Sequence, residues 1–319
     1  MGPAELTGRV RIVISEFMDE AAVSALAARF DVRYESTLVD RPSDLAPQMR
    51  DADALIVRNR TLVDAALLDQ APKLRVVGRL GVGLDNIDVE ACRARNVAVI
   101  PATGANARAV AEYVIATALV LLRGAYASTG AVAGGAWPRA ALSNGREVAG
   151  KTIGLVGFGG IGRLTGALAR AMGMQAIGFD PNVPPAASVW RDEATFPRTL
   201  PALLAEADVV SLHVPLRRET RNLIDATRLA EMKRDAILIN TARGGVVDER
   251  ALADALRAGR IAGAALDVFE HEPLGADSPL AGCPNLVLTP HIAGVTRESN
   301  ARVSALIAAR VAEALEAAG

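Results

Sequence analysis

Short apolar runs alternate with amphipathic segments from the first turn of the chain onward. Val10–Ile14, Ala54–Val57 and Leu74–Val77 read as buried strands, and Ala21–Phe30 carries helical spacing between the first two. A second series begins after Gly150, with strands predicted at Ile153–Gly157, Gln175–Phe179, Val209–Leu212, Ala236–Ile239, Ala264–Leu266 and Leu286–Leu288. Apolar runs of three to five residues separated by helical segments build parallel βα units, so the pattern predicts an α/β chain with two sheets. Between the two series, Ala105–Arg123 is a helix too continuously apolar for a solvent-facing surface, which suits a domain junction or a subunit interface. Pro184-Pro185 and the Pro- and Gly-rich stretch Glu270–Pro284 read as loops.

Composition narrows the partners. The 319 residues carry 35 Lys+Arg against 36 Asp+Glu, a net charge of -1 that offers no field for a polyanion, so no nucleic-acid partner is expected. The longest apolar stretch, Ala109–Leu122, is interrupted by Glu112 and too short to span a bilayer, and no secretory leader is evident. The reading is a soluble cytoplasmic protein with no membrane partner. Cys92 and Cys283 are too few for a disulfide framework or a metal-ligand pattern; no metal is expected.

Chemistry concentrates in "GLVGFGGIG", which ends the first strand of the second series. Gly157, Gly159 and Gly162 fall on G-x-G-x-x-G, with Gly160 and Ile161 inside it: a tight turn, a close backbone approach to a pyrophosphate, and a helix packed close to its strand. Asp180 follows the next strand, eighteen residues past Gly162, where a carboxylate meets ribose hydroxyls and repels a 2′-phosphate. NAD is therefore favoured over NADP. A nicotinamide needs a partner that moves a proton as the hydride moves. His291 in "TPHIAG" lies just past a strand end, where parallel sheets present ligands, and an imidazole titrates near ~6.5. Glu270 and Glu272 are the candidate carboxylates beside it, and Arg243 in "NTARGG" has the planar fork that holds a substrate carboxylate. Taken singly, each also fits an ordinary structural or solvated side chain.

The segments "GFGGIG", "SLHVPL", "INTARGGVVDERAL", "ALDVFEHEPL" and "TPHIAG" resemble, in order and spacing, the signatures of the D-isomer-specific 2-hydroxyacid dehydrogenases, and the likeness extends over essentially the whole chain. The resemblance implies a catalytic trio of Arg243, Glu272 and His291, with Glu270 and His271 left as loop residues. It also implies that His213 lines the cofactor cleft mainly through its backbone, that Thr241 and Ala242 run along the nicotinamide, and that Asp267 meets the carboxamide; a helix or loop cap is the alternative for Asp267. The implied architecture is a Rossmann NAD-binding domain over 101–291 and a flavodoxin-like, discontinuous substrate-binding domain over 1–100 and 292–319, with the active site in a cleft and a homodimer formed through the 105–123 helix. In the C-terminal segment Val303, Leu306, Ile307 and Val311 supply a packing face.

In "VRNRT" Arg58 and Arg60 lie two apart at a strand end, which predicts that both point the same way toward a second anion; pairing with a local acid such as Asp53 is the alternative. The stretch resembles the phosphoglycerate dehydrogenase branch, with Asn59 where that branch often has serine, and with "ISEFMDE" and "PATGAN" it is similar to sulfolactate dehydrogenases. The implied substrate is a 2-hydroxy acid with an anionic group at C3, 3-sulfolactate or 3-phosphoglycerate, contacted by Arg58, Arg60, Val82, Gly83 and Asn106. The chain ends at Gly319 without the regulatory extension of many serine-pathway enzymes, so feedback by serine is not expected. A glyoxylate or hydroxypyruvate reductase, an NAD-sensing corepressor and an oligomer that uses NAD only for stability are the competing readings.

Overall fold

The computed structural model describes residues 9–317. The chain divides into two compact units, Met1–Asn106 with Val295–Gly319, and Ala107–Gly294.

The first unit is built on a five-stranded parallel sheet of β1 (Arg11–Ile14), β2 (Asp31–Tyr34), β3 (Ala54–Val57), β4 (Val76–Arg79) and β5 (Ala98–Pro101), in the order β2-β1-β3-β4-β5. That is the flavodoxin-like order, whose direction reverses between β1 and β3. The three inner strands β1, β3 and β4 are mostly apolar because both of their faces are covered. Ile12, Ile14, Ala54, Ile56 and Val76 pack with Leu26, Val303, Ile307 and Val311, while Val13, Leu55, Val57 and Val77 pack with Leu45, Met49, Leu68 and Cys92. The helix Arg297–Ala317 lies so close to β4 that a Cβ at Gly78 would stand 2.7 Å from Val311 Cγ2 and 2.8 Å from Ile307 Cγ2.

The second unit is a seven-stranded parallel sheet of β6 (Thr152–Val156), β7 (Gln175–Phe179), β8 (Phe196–Pro197), β9 (Val209–Leu212), β10 (Ile237–Asn240), β11 (Gly263–Leu266) and β12 (Leu286–Leu288). Its order, β12-β11-β10-β9-β6-β7-β8, is the 3-2-1-4-5-6 arrangement of dinucleotide-binding folds with one strand added, and the direction reverses between β6 and β9. The apolar helix expected over 105–123 spans Ala107–Arg123 and packs within this unit, against the helix Gly160–Ala171 and strands β10 and β11. Val114, Ala118, Leu121 and Leu122 are buried there among Ile153, Leu155 and Ile237, which accounts for much of its apolar character.

Three strands go beyond the sequence reading: β2, β5 and β8. All three are edge strands. An edge strand is paired on one side only, and β2, "DVRY", needs no continuous apolar run because none of its residues is fully buried. The unit boundaries also fall a few positions from those expected. Ala102 donates its N–H to Gly81 O at 2.8 Å and Arg302 Nε reaches Ala105 O at 3.1 Å, which ties 101–106 to the first unit. Ile292 and Ala293 are hydrogen-bonded to Asp267 and stay with the second.

Candidate active site

In a parallel sheet all carboxyl ends lie along one edge. Gly157, His213, Thr241 to Arg243, Asp267 and the 289–293 loop follow β6, β9, β10, β11 and β12 in turn, so the fold collects them on the edge where open α/β sheets bind ligands.

The glycines divide into two kinds. Gly157 has φ +98°, and a Cβ there would sit 2.7 Å from His213 O; a Cβ on Gly162 would sit 2.2 Å from Gly157 O. Both are required by the turn itself. Around Gly159 and Gly160 nothing lies within 4 Å of a built Cβ, so this stretch faces open space. There the helix Gly160–Ala171 begins, with first-turn N–H groups that lack intrahelical acceptors. An open, glycine-lined helix N-terminus fits a pyrophosphate. Asp180 directly follows β7 as expected, but its carboxylate also braces this loop: Oδ2 accepts from Phe158 N at 2.9 Å and Oδ1 from Asn182 N at 2.9 Å.

His213 donates its backbone N–H to Val156 O at 2.7 Å and sets Nε2 3.0 Å from Ser211 Oγ. Burial pushes its pKa down to about 4, so the ring is neutral at neutral pH. After β10, the buried Asn240 shapes the next loop by accepting from Ala242 N at 3.0 Å and donating to Arg243 O at 2.9 Å. Gly244 has no room for a side chain, since a Cβ would lie 1.8 Å from Phe269 O. Arg243 Nη1 reaches Ala242 O at 2.6 Å. Thr241 Oγ1 is buried without a hydrogen-bond partner, an orphaned hydroxyl that suits a bound ligand on this edge.

The loop after β12 hangs on Asp267, which is 1% exposed. Its Oδ1 accepts from Thr289 Oγ1 at 2.6 Å and Ile292 N at 2.8 Å, and Oδ2 accepts from Ala293 N at 2.8 Å. Tyr113 OH extends the chain to Thr289 Oγ1 at 2.7 Å, and burial raises the phenol's pKa. Between these anchors His291 adopts φ +55°, a left-handed backbone rare for a residue with a side chain. Its Nδ1 meets Glu272 Oε2 at 2.8 Å, and Glu272 Oε1 accepts from Phe269 N at 3.0 Å. An Nδ1–H given to the carboxylate leaves Nε2 as the accepting nitrogen. Glu270 faces Arg221 instead, at 3.1 Å.

Asp267 thus performs the loop-capping role named above as the alternative, with little acceptor capacity left. Asn240, Tyr113 and Thr289 were not singled out in the sequence. Asn240 was the most accessible of them, an Asx side chain closing an apolar strand, where such residues bond the backbone two residues on.

In the first unit, Arg58 and Arg60 do not share a direction. Both lie beyond the end of β3, where strand alternation no longer holds. Arg58 Nη2 donates to Asn300 Oδ1 at 2.9 Å and its guanidinium lies 5.8 Å from the centre of the Phe17 ring, whereas Arg60 pairs with Asp40. Asp53 is engaged elsewhere, by Arg75 and by the Arg11 N–H. Burial pulls the Arg58 pKa below the usual arginine value and the Glu16 charge opposes it. Val82 is exposed, Gly83 half-buried, and Asn106 Oδ1 is a second buried acceptor without a partner. Among the described residues no three His, Cys, Asp or Glu side chains stand together as a metal site, and no single helix is long and apolar enough to cross a membrane.

Residues 115–293 match the family profile of the D-isomer-specific 2-hydroxyacid dehydrogenase NAD-binding domain. The chain is 55% identical over 304 residues to an (S)-sulfolactate dehydrogenase of Chromohalobacter salexigens, covering 95% of this chain and 98% of that protein. It is 41% identical over 306 residues to the D-3-phosphoglycerate dehydrogenase of Mycobacterium leprae, covering 95% of this chain but only 56% of that longer protein. Among solved structures, the TT0316 protein of Thermus thermophilus superposes with a TM-score of 0.87 at 35% identity, over 97% of each chain.

Proposed function

Because this chain belongs to the D-isomer-specific 2-hydroxyacid dehydrogenase family, we propose that this NAD-dependent oxidoreductase acts on a 2-hydroxy acid bearing an anionic group at C3, and that the acid is 3-sulfolactate. The identity to a sulfolactate dehydrogenase along nearly its whole length carries the choice over 3-phosphoglycerate.

Bound NAD supplies the hydride acceptor at its nicotinamide ring. The protein's residues do the rest. His291 Nε2 takes the proton of the C2 hydroxyl as the carbonyl forms, and returns it in the reverse direction. Glu272, 2.8 Å from Nδ1, stabilises the imidazolium and fixes the tautomer. Arg243 holds the C1 carboxylate and polarises the C2 oxygen. Asp180 would take the ribose hydroxyls with the lone pairs that Phe158 N and Asn182 N leave open, Gly159, Gly160 and Ile161 would hold the pyrophosphate, and Thr241 and Ala242 would lie along the nicotinamide. The C3 anion is assigned to Arg58 and Arg60, which would have to exchange their present partners Asn300 and Asp40 for it, with Val82, Gly83 and Asn106 as the other substrate contacts. The working assembly is a cytoplasmic homodimer, with the substrate as a small-molecule partner.

The test is a panel of 2-oxo acids, 3-sulfopyruvate, 3-phosphohydroxypyruvate, hydroxypyruvate, glyoxylate and pyruvate, each mixed with NADH while its absorbance is followed. The highest kcat/KM is expected with 3-sulfopyruvate. A preference for glyoxylate or hydroxypyruvate overturns the dianion assignment, and no turnover with any of them favours an NAD-sensing or structural role.

A further inference from the structure

In an open α/β sheet the crevice at the strand-order reversal, outside the carboxyl ends, is where ligands bind. In the first unit that place lies between β1 and β3, and the protein fills it with its own anion. Glu16, two residues past β1 and 4% exposed, accepts hydrogen bonds from four consecutive backbone N–H groups of the loop after β3. Oε1 takes Arg58 N at 2.8 Å, Thr61 N at 2.9 Å and Arg60 N at 3.3 Å; Oε2 takes Arg60 N at 3.2 Å and Asn59 N at 3.3 Å. The carbonyls of the same loop are held from the other side, where Asn86 Nδ2 donates to Thr61 O at 2.7 Å and Arg58 O at 3.4 Å. Ser15 Oγ and Thr61 Oγ1 close the turn at 2.9 Å.

A loop bonded through every N–H from 58 to 61 has little backbone freedom. The same nest of amides, left empty, is a ready anion site. With Glu16 in it, an incoming anion finds no backbone donors there and is left the guanidinium groups. We propose that Glu16 is a positioning residue for anion discrimination: it fixes the backbone from which Arg58 and Arg60 project and blocks the nest against the substrate. The proposal rests on the dianionic-substrate reading above.

The experiment is steady-state kinetics of Glu16→Gln, Arg60→Ala and the double variant, with 3-sulfopyruvate and pyruvate as substrates. Gln keeps the volume and one acceptor but turns an NH2 toward the Asn59 and Arg60 N–H groups. The expected result is a rise of roughly tenfold in KM for 3-sulfopyruvate, a smaller change in kcat, and a loss of discrimination against pyruvate, as when a charge-assisted contact is lost. Because Glu16 acts through the loop that carries Arg60, the double variant should lose less than the sum of the two single losses. A merely structural Glu16 predicts additive losses that fall equally on both substrates, and that result overturns the proposal. If Glu16→Gln does not fold, Asn86→Ala, which loosens the same loop from its carbonyl side, carries the same cycle with the same two outcomes. Failure of the substrate reading is separate: the wild type then does not prefer 3-sulfopyruvate at all.

Discussion

Replacing Asp267 by alanine removes three acceptor contacts from the loop that presents His291, and the structure allows the loss to be apportioned. Thr289 Oγ1 keeps Tyr113 OH at 2.7 Å, so its penalty is small. Ile292 is 45% exposed and its N–H can turn to water, leaving about 1 kcal/mol. Ala293 is 4% exposed, so its N–H is stranded at the full price of an unmet buried donor, ~1–3 kcal/mol. Relief of the buried carboxylate's own desolvation offsets part of this, so the net is about 2 kcal/mol. A chain of two units need not unfold in one step, and the sharper readout is local. Amide hydrogen exchange at Ile292 and Ala293 should accelerate by roughly thirtyfold, since about 1.4 kcal/mol is a factor of ten. The left-handed backbone of His291, φ +55°, relaxes once these anchors go, and kcat/KM should fall by at least roughly a hundredfold. Asp267→Asn keeps the Oδ1 contacts and loses the one to Ala293, so both effects should shrink by about tenfold. Unchanged exchange at 292 and 293 in the alanine variant, with only NAD affinity reduced, would refute the anchoring argument and make Asp267 a cofactor contact.

His291→Ala should lower turnover by roughly 10²–10⁴ while NADH binding, followed by fluorescence titration, persists. Asp180→Ala should raise kcat/KM with NADPH relative to NADH, and because Phe158 N loses its acceptor it should also lower the absolute affinity for both cofactors. Arg60→Ala should cost 3-sulfopyruvate roughly ten- to a hundredfold in kcat/KM and leave pyruvate nearly unaffected; equal losses on both would assign Arg60 to the C1 carboxylate or the fold. For His213 the pKa is about 4 folded against ~6.5 unfolded, so between these values the unfolded chain binds more protons and stability falls as pH drops, levelling below about 4. Thermal unfolding across that window should show a loss on the order of 2 kcal/mol that His213→Asn does not share, and parallel curves would remove His213 as its source.

What the sequence declared and what it concealed differ by the range of the interaction. Strands with two neighbours, both faces covered, had to be apolar runs and could be read off, as could the edge strand β12, whose three residues are all apolar; the edge strands β2, β5 and β8 could not. The glycines were legible because the turn demands them locally: Gly157 needs a positive φ, and Gly162 contacts Gly157 five residues away. The His291–Glu272 contact spans nineteen positions and became legible only through the ordered motifs around it. The clamps were not legible. Glu16 meets Thr61 across 45 positions, Asp267 meets Ala293 across 26, and Tyr113 meets Thr289 across 176, and no periodicity relates such partners. Arg58 and Arg60 failed for a nearer reason, since the two-residue alternation that aligned them ends with β3 at Val57.

An acid just past an apolar strand therefore has two possible uses, gripping a ligand or gripping a neighbouring loop, and lone pairs decide between them. A carboxylate has roughly four acceptor positions. Asp180 spends two, on Phe158 N and Asn182 N, and keeps room for a pair of ribose hydroxyls. Asp267 spends three and can offer a carboxamide at most one. Glu16, with five contacts from four donors, has none left for substrate. Any influence of Glu16 on the reaction must therefore pass through the loop it holds, and the order Asp180, Asp267, Glu16 is the order in which substitution should change from a cofactor phenotype to a purely positional one.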